Sequence, residues 1–155
     1  MTQQRPFRFG LIGRAPSREA WIAQARRAEE LGYATIVAAD HFYWDLSPIA
    51  ALQAAAEATT TLRVGSNVFN NDFWHPVPLA REAATLDILS NGRFELGLGA
   101  GYLAPEYEQA GIPFASAGTR IARLEEAVQV ITGLFKEEPL TFAGQYYTCL
   151  LYTSP

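Results

Sequence analysis

The stretch from Pro76 to Tyr102 constrains the fold more than any other. Leu79, Ala83, Leu86 and Leu89 follow two prolines at helical spacing, the pattern halts at Asn91-Gly92, and Arg93 to Leu98 then runs as a short apolar strand toward Gly97, Gly99 and Gly101. Proline suits a first helical turn, where no N–H is needed, and Asn-Gly accepts the left-handed conformation that ends a helix. A helix that stops tightly and feeds a buried strand with a glycine-rich exit is one unit of a parallel α/β sheet.

The same alternation runs through the rest of the chain. Strand character falls on Phe7 to Ile12, Thr35 to Ala39 and Leu62 to Val68. The first helix starts at Ser17 as N-cap, buries Trp21, Ala25, Ala28 and Leu31, and stops at Gly32. The second opens with the cap and N1 proline Ser47-Pro48. A fourth presents Ile121, Leu124, Val128, Ile131 and Phe135 at helical spacing, and Leu140 to Tyr147 reads as a hairpin around Ala143-Gly144. Four strand-helix units in 155 residues are half of a closed eight-stranded barrel, which needs ~250 residues. Residues 6–147 form one partial domain with no linker or legible repeat, and residues 148–155 read as a truncated or foreign tail.

A net charge of −4, with the one adjacent basic pair, Arg26-Arg27, beside Glu29 and Glu30, argues against a nucleic-acid partner. Cys149 is the only cysteine, which excludes an internal disulfide and a cysteine metal site; two histidines without a ligand-spaced cluster make no metal site either. No apolar run is long enough for a membrane span and no signal core follows Met1, so the cytoplasm is the expected compartment. No G-x-S-x-G elbow points to a hydrolase.

Candidate chemistry gathers after the strands. Asp40-His41-Phe42-Tyr43-Trp44 follows the second, where His41 is an acid, a base or a donor to a substrate oxygen, or else the partner of a turn-capping Asp40. Trp44 is a pocket wall or core packing. Gly65 to Asn71 is polar for the end of a buried strand. The loop at Gly97, Gly99 and Gly101 is no dinucleotide fingerprint, because Tyr102 occupies the place of the third glycine. His75, before Pro76, reads as a structural N-cap.

Asp40-His41-Phe42, the polar third-strand exit and the helix-strand-glycine segment together resemble the bacterial-luciferase-like monooxygenase family from Arg5 to Tyr147. The resemblance implies the N-terminal half of a (β/α)8 TIM barrel, truncated after about four units. It implies an oxidoreductase using the deazaflavin coenzyme F420 on a small organic molecule, with an FMN-dependent monooxygenase as the alternative. An inert fragment is a third reading. It further implies His41 and Asp40 as catalytic residues, and Asn67, Val68, Gly99 and Gly101 as the cofactor bed, with a cis peptide between Asn67 and Val68. Trp44 and Tyr102 are implied on the substrate side; a sugar-phosphate substrate is disfavoured, because the glutamate expected near Tyr102 is missing and only Tyr102 or Glu106 could replace it. The parent is expected to be a homodimer, and the 155-residue chain alone to self-associate.

Overall fold

The computed structural model describes residues 7–136 and 138–151. In chain order these form β1 (Gly10–Ile12), α1 (Arg18–Glu30), β2 (Thr35–Ala38), α2 (Pro48–Ala58), β3 (Arg63–Ser66), β4 (Phe69–Asn70), a 3-10 turn (Asn71–Phe73), α3 (Pro76–Leu89), β5 (Phe94–Glu95), β6 (Leu98–Gly99), α4 (Ala104–Ala110), α5 (Ala117–Leu134), β7 (Leu140–Ala143) and β8 (Thr148–Leu151). A parallel sheet runs β1-β2-β3-β5, and the parallel pair β4-β6 continues its last two strands. This is a curved half-barrel wall in which consecutive strands are neighbours, as short crossover connections favour.

The register fixes which face meets the helices. Leu11, Ile36, Val64 and Phe94 are aligned across the sheet and pack on Trp21, Leu52, Leu79 and Leu86 in one core. Burying each such side chain contributes about 1.5–3 kcal/mol. On the other face Glu95 accepts from Arg8 Nη2 at 2.8 Å, Arg63 Nε at 2.6 Å and Thr35 Oγ1 at 3.0 Å.

Local signals bound α1 and α3 as expected, while Ser47 precedes α2 without a side-chain cap bond. Ser17 Oγ accepts from Ala20 N–H at 3.2 Å, and Gly32 lies at φ 77°. His75 Nδ1 accepts from Val77 N–H at 3.3 Å, and Asn91 and Gly92 take φ 57° and 74°. Two side chains then brace the turns. Glu29 accepts from the N–H groups of Thr60, Thr61 and Leu62 at 2.9, 2.6 and 2.9 Å; burial raises its pKa, but these donors outweigh that and hold it down at about 2. Arg93 donates to the carbonyls of Ala56, Leu62 and Ser90, each at 2.7 Å, satisfying the end of α2.

Several boundaries differ from the sequence reading. Strand β1 begins at Gly10, leaving Phe7 and Phe9 exposed. Leu31 is the exposed C-cap of α1 rather than part of its buried face. The third and fourth strands are each split in two, because the chain bulges at residues 67–68 and 96–97. Helix α5 buries Ala127, Val130, Ile131 and Leu134, while Ile121, Val128 and Phe135 are exposed. Short helix α4 is additional. The hairpin turns over Gly144 to Tyr147 and its second strand is Thr148–Leu151, so pairing extends into the segment read as a tail; residues 152–155 lie outside the described part. Glu126 fixes that turn by accepting from the N–H groups of Gln145, Tyr146 and Tyr147. No helix among the described residues is long and apolar enough to cross a membrane.

Candidate active site

The bulge at the third strand organises the site. The Asn67-Val68 peptide is cis, at the position implied by the resemblance. Asn67 N–H still reaches Ala38 O at 2.9 Å, and Phe69 N–H reaches Gly97 O at 2.9 Å, so the ladder resumes above the bulge. Ser66 repairs the gap: its hydroxyl donates to Gly97 O at 2.8 Å and accepts from Gly97 N–H at 2.9 Å. Glycine is required opposite, since a Cβ on Gly97 would fall 2.2 Å from Ser66 O and one on Gly99 2.5 Å from Val68 Cγ2.

Above this joint lies an open cleft of about 380 Å³ lined by Asp40, His41, Asn67, Val68, Asn70, Gly99, Ala100, Gly101, Tyr102, Leu103 and Glu106. The strand exits bearing Asp40, Asn67 and Gly99 therefore share one end of the sheet. One wall consists of the backbone around Gly99 to Gly101 and the Asn67-Val68 peptide, with the partly exposed Val68 side chain against Gly99.

An imidazole and a carboxylate meet on another wall. His41 Nδ1 lies 3.0 Å from Glu106 Oε2, and the other Glu106 oxygen accepts from Phe42 N–H. A carboxylate only accepts, so this contact puts a proton on Nδ1 and leaves Nε2 for a ligand. The His41 ring stacks on Tyr43 at 4.9 Å and meets the edge of Tyr102 at 6.2 Å. Asp40 is buried, and its Oδ2 accepts from Trp74 Nε1 at 2.7 Å and Asn70 N–H at 3.1 Å. Burial pushes the Asp40 carboxyl above the ordinary range, against those two donors, and the nearby Glu106 adds to the rise. Oδ1 has no hydrogen-bond partner among the described residues.

The glycine loop is braced from below. The hydroxyl of fully buried Tyr107 lies 3.0 Å from Asn70 Oδ1 and 3.2 Å from Asp72 Oδ2. Burial raises the Tyr107 pKa, keeping it a neutral phenol. Arg123 Nη1 reaches Asp72 at 3.4 Å, and Arg120 Nε donates to Gly101 O at 3.3 Å.

Of the expected site residues, Trp44 alone does not line the cleft. A turn in which Trp44 N–H meets His41 O at 3.1 Å swings it into a small recess with Gly13, Arg14 and Ala51. Its ring centre stays 5.9 Å from that of His41. His75 is a helix cap, as expected. Glu106 as partner of His41, and the bracing by Asn70 and Tyr107, were missed. Only the closeness of Glu106 to the glycine loop hinted at the first.

A half-barrel of βα units with a polar cleft at its carboxyl end is the frame of a TIM-barrel enzyme. The chain belongs to the luciferase-like monooxygenase family, whose model matches residues 5–155. It is 33% identical over 137 residues to an F420-dependent glucose-6-phosphate dehydrogenase of Amycolatopsis mediterranei (strain U-32), covering 81% of this chain and 40% of that protein. It is 37% identical over 90 residues to the oxygenase component of the flavin-dependent trigonelline monooxygenase of Acinetobacter baylyi (strain ATCC 33305 / BD413 / ADP1), covering 58% of this chain and 25% of that one. Among solved structures, an F420-dependent secondary alcohol dehydrogenase in complex with an F420-acetone adduct superposes with a TM-score of 0.83 at 28% identity, covering 96% of this chain and 49% of that one. The chain thus spans less than half the length of these relatives.

Proposed function

We propose that this chain is the N-terminal part of an oxidoreductase that holds coenzyme F420 in the cleft and acts on a small organic substrate. The observation that carries the reading is the His41–Glu106 pair facing a wall made of glycine backbone and the Asn67-Val68 peptide. That wall suits a planar ring, because it is backbone at Gly99 to Gly101 with Val68 beside it, open to the cleft. The bound deazaflavin would supply the carbon that gives or takes a hydride.

The chain's own residues do the positioning and the proton work. Val68 and Gly99 would hold the ring from the bulge side. Glu106 orients His41, so Nε2 meets the substrate oxygen as donor or acceptor. Asp40, neutral to a higher pH than an ordinary carboxyl, can hold a proton at Oδ1. Tyr102 borders the substrate side, and Trp44 acts on the site through His41 rather than by direct contact. The relatives with F420 in their names support this cofactor, and the flavin-dependent relative favours a second reading, an FMN-dependent monooxygenase.

Titrating F420 and FMN against the full-length enzyme tests the choice. F420 is expected to bind more tightly, and His41→Ala to lower turnover ~10²- to 10⁴-fold with little change in cofactor affinity. Tighter FMN binding with substrate-dependent oxygen uptake would establish the second reading instead.

A further inference from the structure

The β7–β8 hairpin lies along α5 and climbs it toward the strand exits. At its base Leu140 packs so closely on α5 that a Cβ on Gly133 would fall 2.9 Å from Leu140 Cδ1. Its turn is gripped by Glu126, and the Arg123 guanidinium lies over Tyr146, 5.6 Å from the ring centre. From Gly133 to Arg123 is about 15 Å along a helix. The tip therefore arrives beside the 3-10 turn Asn71–Phe73. There Tyr147 Oη accepts from Asn71 Nδ2 at 3.1 Å, and the Tyr147 ring packs nearly at right angles to His75 with 5.4 Å between centres.

That turn has two sides. Toward the hairpin, Asn71 is 1% exposed, so Tyr147 satisfies its amide where water does not reach. The Asp72 side chain, 2% exposed, is held by Arg123 at 3.4 Å, and a buried charge needs such a partner. Toward the cleft, Asp72 and Asn70 both meet the Tyr107 hydroxyl, which stands where a Cβ on Gly101 would fall. Asn70 also gives its N–H to Asp40 and takes the N–H of Asp72. The path thus runs from the hairpin to the cleft wall, while neither Tyr146 nor Tyr147 lines the cleft.

We infer that the hairpin is a strut for the cleft. Tyr147 and Arg123 are positioning residues: they hold Asn71 and Asp72, and through these they fix Asn70, Tyr107 and the Gly101 wall for ring binding. Only that last step rests on the reading of the cleft as the ring site. By linkage, a hairpin that favours the ring-binding wall must itself be steadied, by the same free energy, when a ring binds.

Hydrogen exchange of the full-length enzyme, read by mass spectrometry with residue-level fragmentation, tests both directions. The probes are the N–H groups of Asn70 and Asp72, held by Asp40 and Asn70, and those of Gln145, Tyr146 and Tyr147, held by Glu126. Without ligand, Tyr147→Phe and Arg123→Met should each speed exchange at Asn70 and Asp72 about tenfold, the factor for one hydrogen bond lost with its buried partner left unpaired. Ala23→Gly, at an exposed site in α1, weakens its helix to a similar degree and should leave Asn70 and Asp72 as they were. Unchanged exchange there in both hairpin-side variants, or equal acceleration by Ala23→Gly, would overturn the inference. Adding F420 to the unaltered enzyme should slow exchange at Gln145 to Tyr147 about fivefold or more. Protection at Asn67 to Gly101 with none in the hairpin would also overturn it. If neither F420 nor FMN protects Asn67 to Gly101, the cofactor reading falls, while the ligand-free comparison still decides the strut.

Discussion

Replacing Gly101 by Ala should loosen the whole floor of the cleft. The residue sits at φ 74°, a left-handed conformation that costs an L-residue about 1–2 kcal/mol. The added Cβ would also fall 1.9 Å from Tyr107 Oη and 2.6 Å from Asn70 Oδ1, and neither atom is the loose end of a surface side chain. Tyr107 is fully buried, so moving it breaks its hydrogen bonds to Asn70 and Asp72, at about 1–3 kcal/mol for a buried group left unpaired. Together the expected loss is about 2–5 kcal/mol. Gly32→Ala is the matched control: φ is 77°, but no atom lies within 4 Å of the new Cβ, so only the conformational cost of about 1–2 kcal/mol applies. Urea unfolding followed by tryptophan fluorescence compares the two. If both variants lose the same stability to within about 0.5 kcal/mol, the bracing of the loop by Tyr107 and Asn70 is wrong.

Glu29 predicts an acid limb in stability. Its folded pKa of about 2 lies below its ordinary 4.5, so its contribution is present above pH 4.5 and lost as pH falls through about 2. The carboxylate is open to solvent, which limits the effect to about 1 kcal/mol; Glu29→Gln should flatten that limb in urea titrations at pH 5 and pH 3, and an unchanged slope would refute the assignment. Arg93→Met strips three carbonyls of their donor and should cost about 2–4 kcal/mol in the same assay, whereas a loss below about 0.5 kcal/mol would mean water replaces the guanidinium freely. Glu106→Ala should let the His41 ring leave the Nδ1–H tautomer, read from imidazole nitrogen shifts; an unchanged tautomer would show that Glu106 does not orient it.

The sequence revealed what is decided within a few residues. Ser17, His75 and Asn91-Gly92 cap their helices because a cap is a contact between near neighbours. The buried face of α5 was misread because helical spacing fits two adjacent stripes: Ile131 belongs to both, and only the packing against α3 selects Ala127, Val130 and Leu134. The breaks in the third and fourth strands were hidden, since an apolar run looks alike with or without a bulge. The His41–Glu106 pair joins positions 65 apart, so nothing local announces it. Trp44 stood at the right strand exit, but the turn after His41 aims it elsewhere.

The Ser66 hydroxyl has a consequence for how variation can accumulate in this molecule. It is the joint between two storeys: a lower four-stranded sheet that anchors the helices, and an upper pair, β4 and β6, that carries the cleft. Because the Ser66 side chain supplies two of the hydrogen bonds at the joint in place of a regular ladder, the upper storey can tilt or be remodelled without unstitching the lower ladder. Substitutions that retune chemistry would then be tolerated above Ser66 and Gly97 while the same liberties below them unfold the chain. Amide exchange in β4 and β6 should accordingly open in a step separate from β2 and β3.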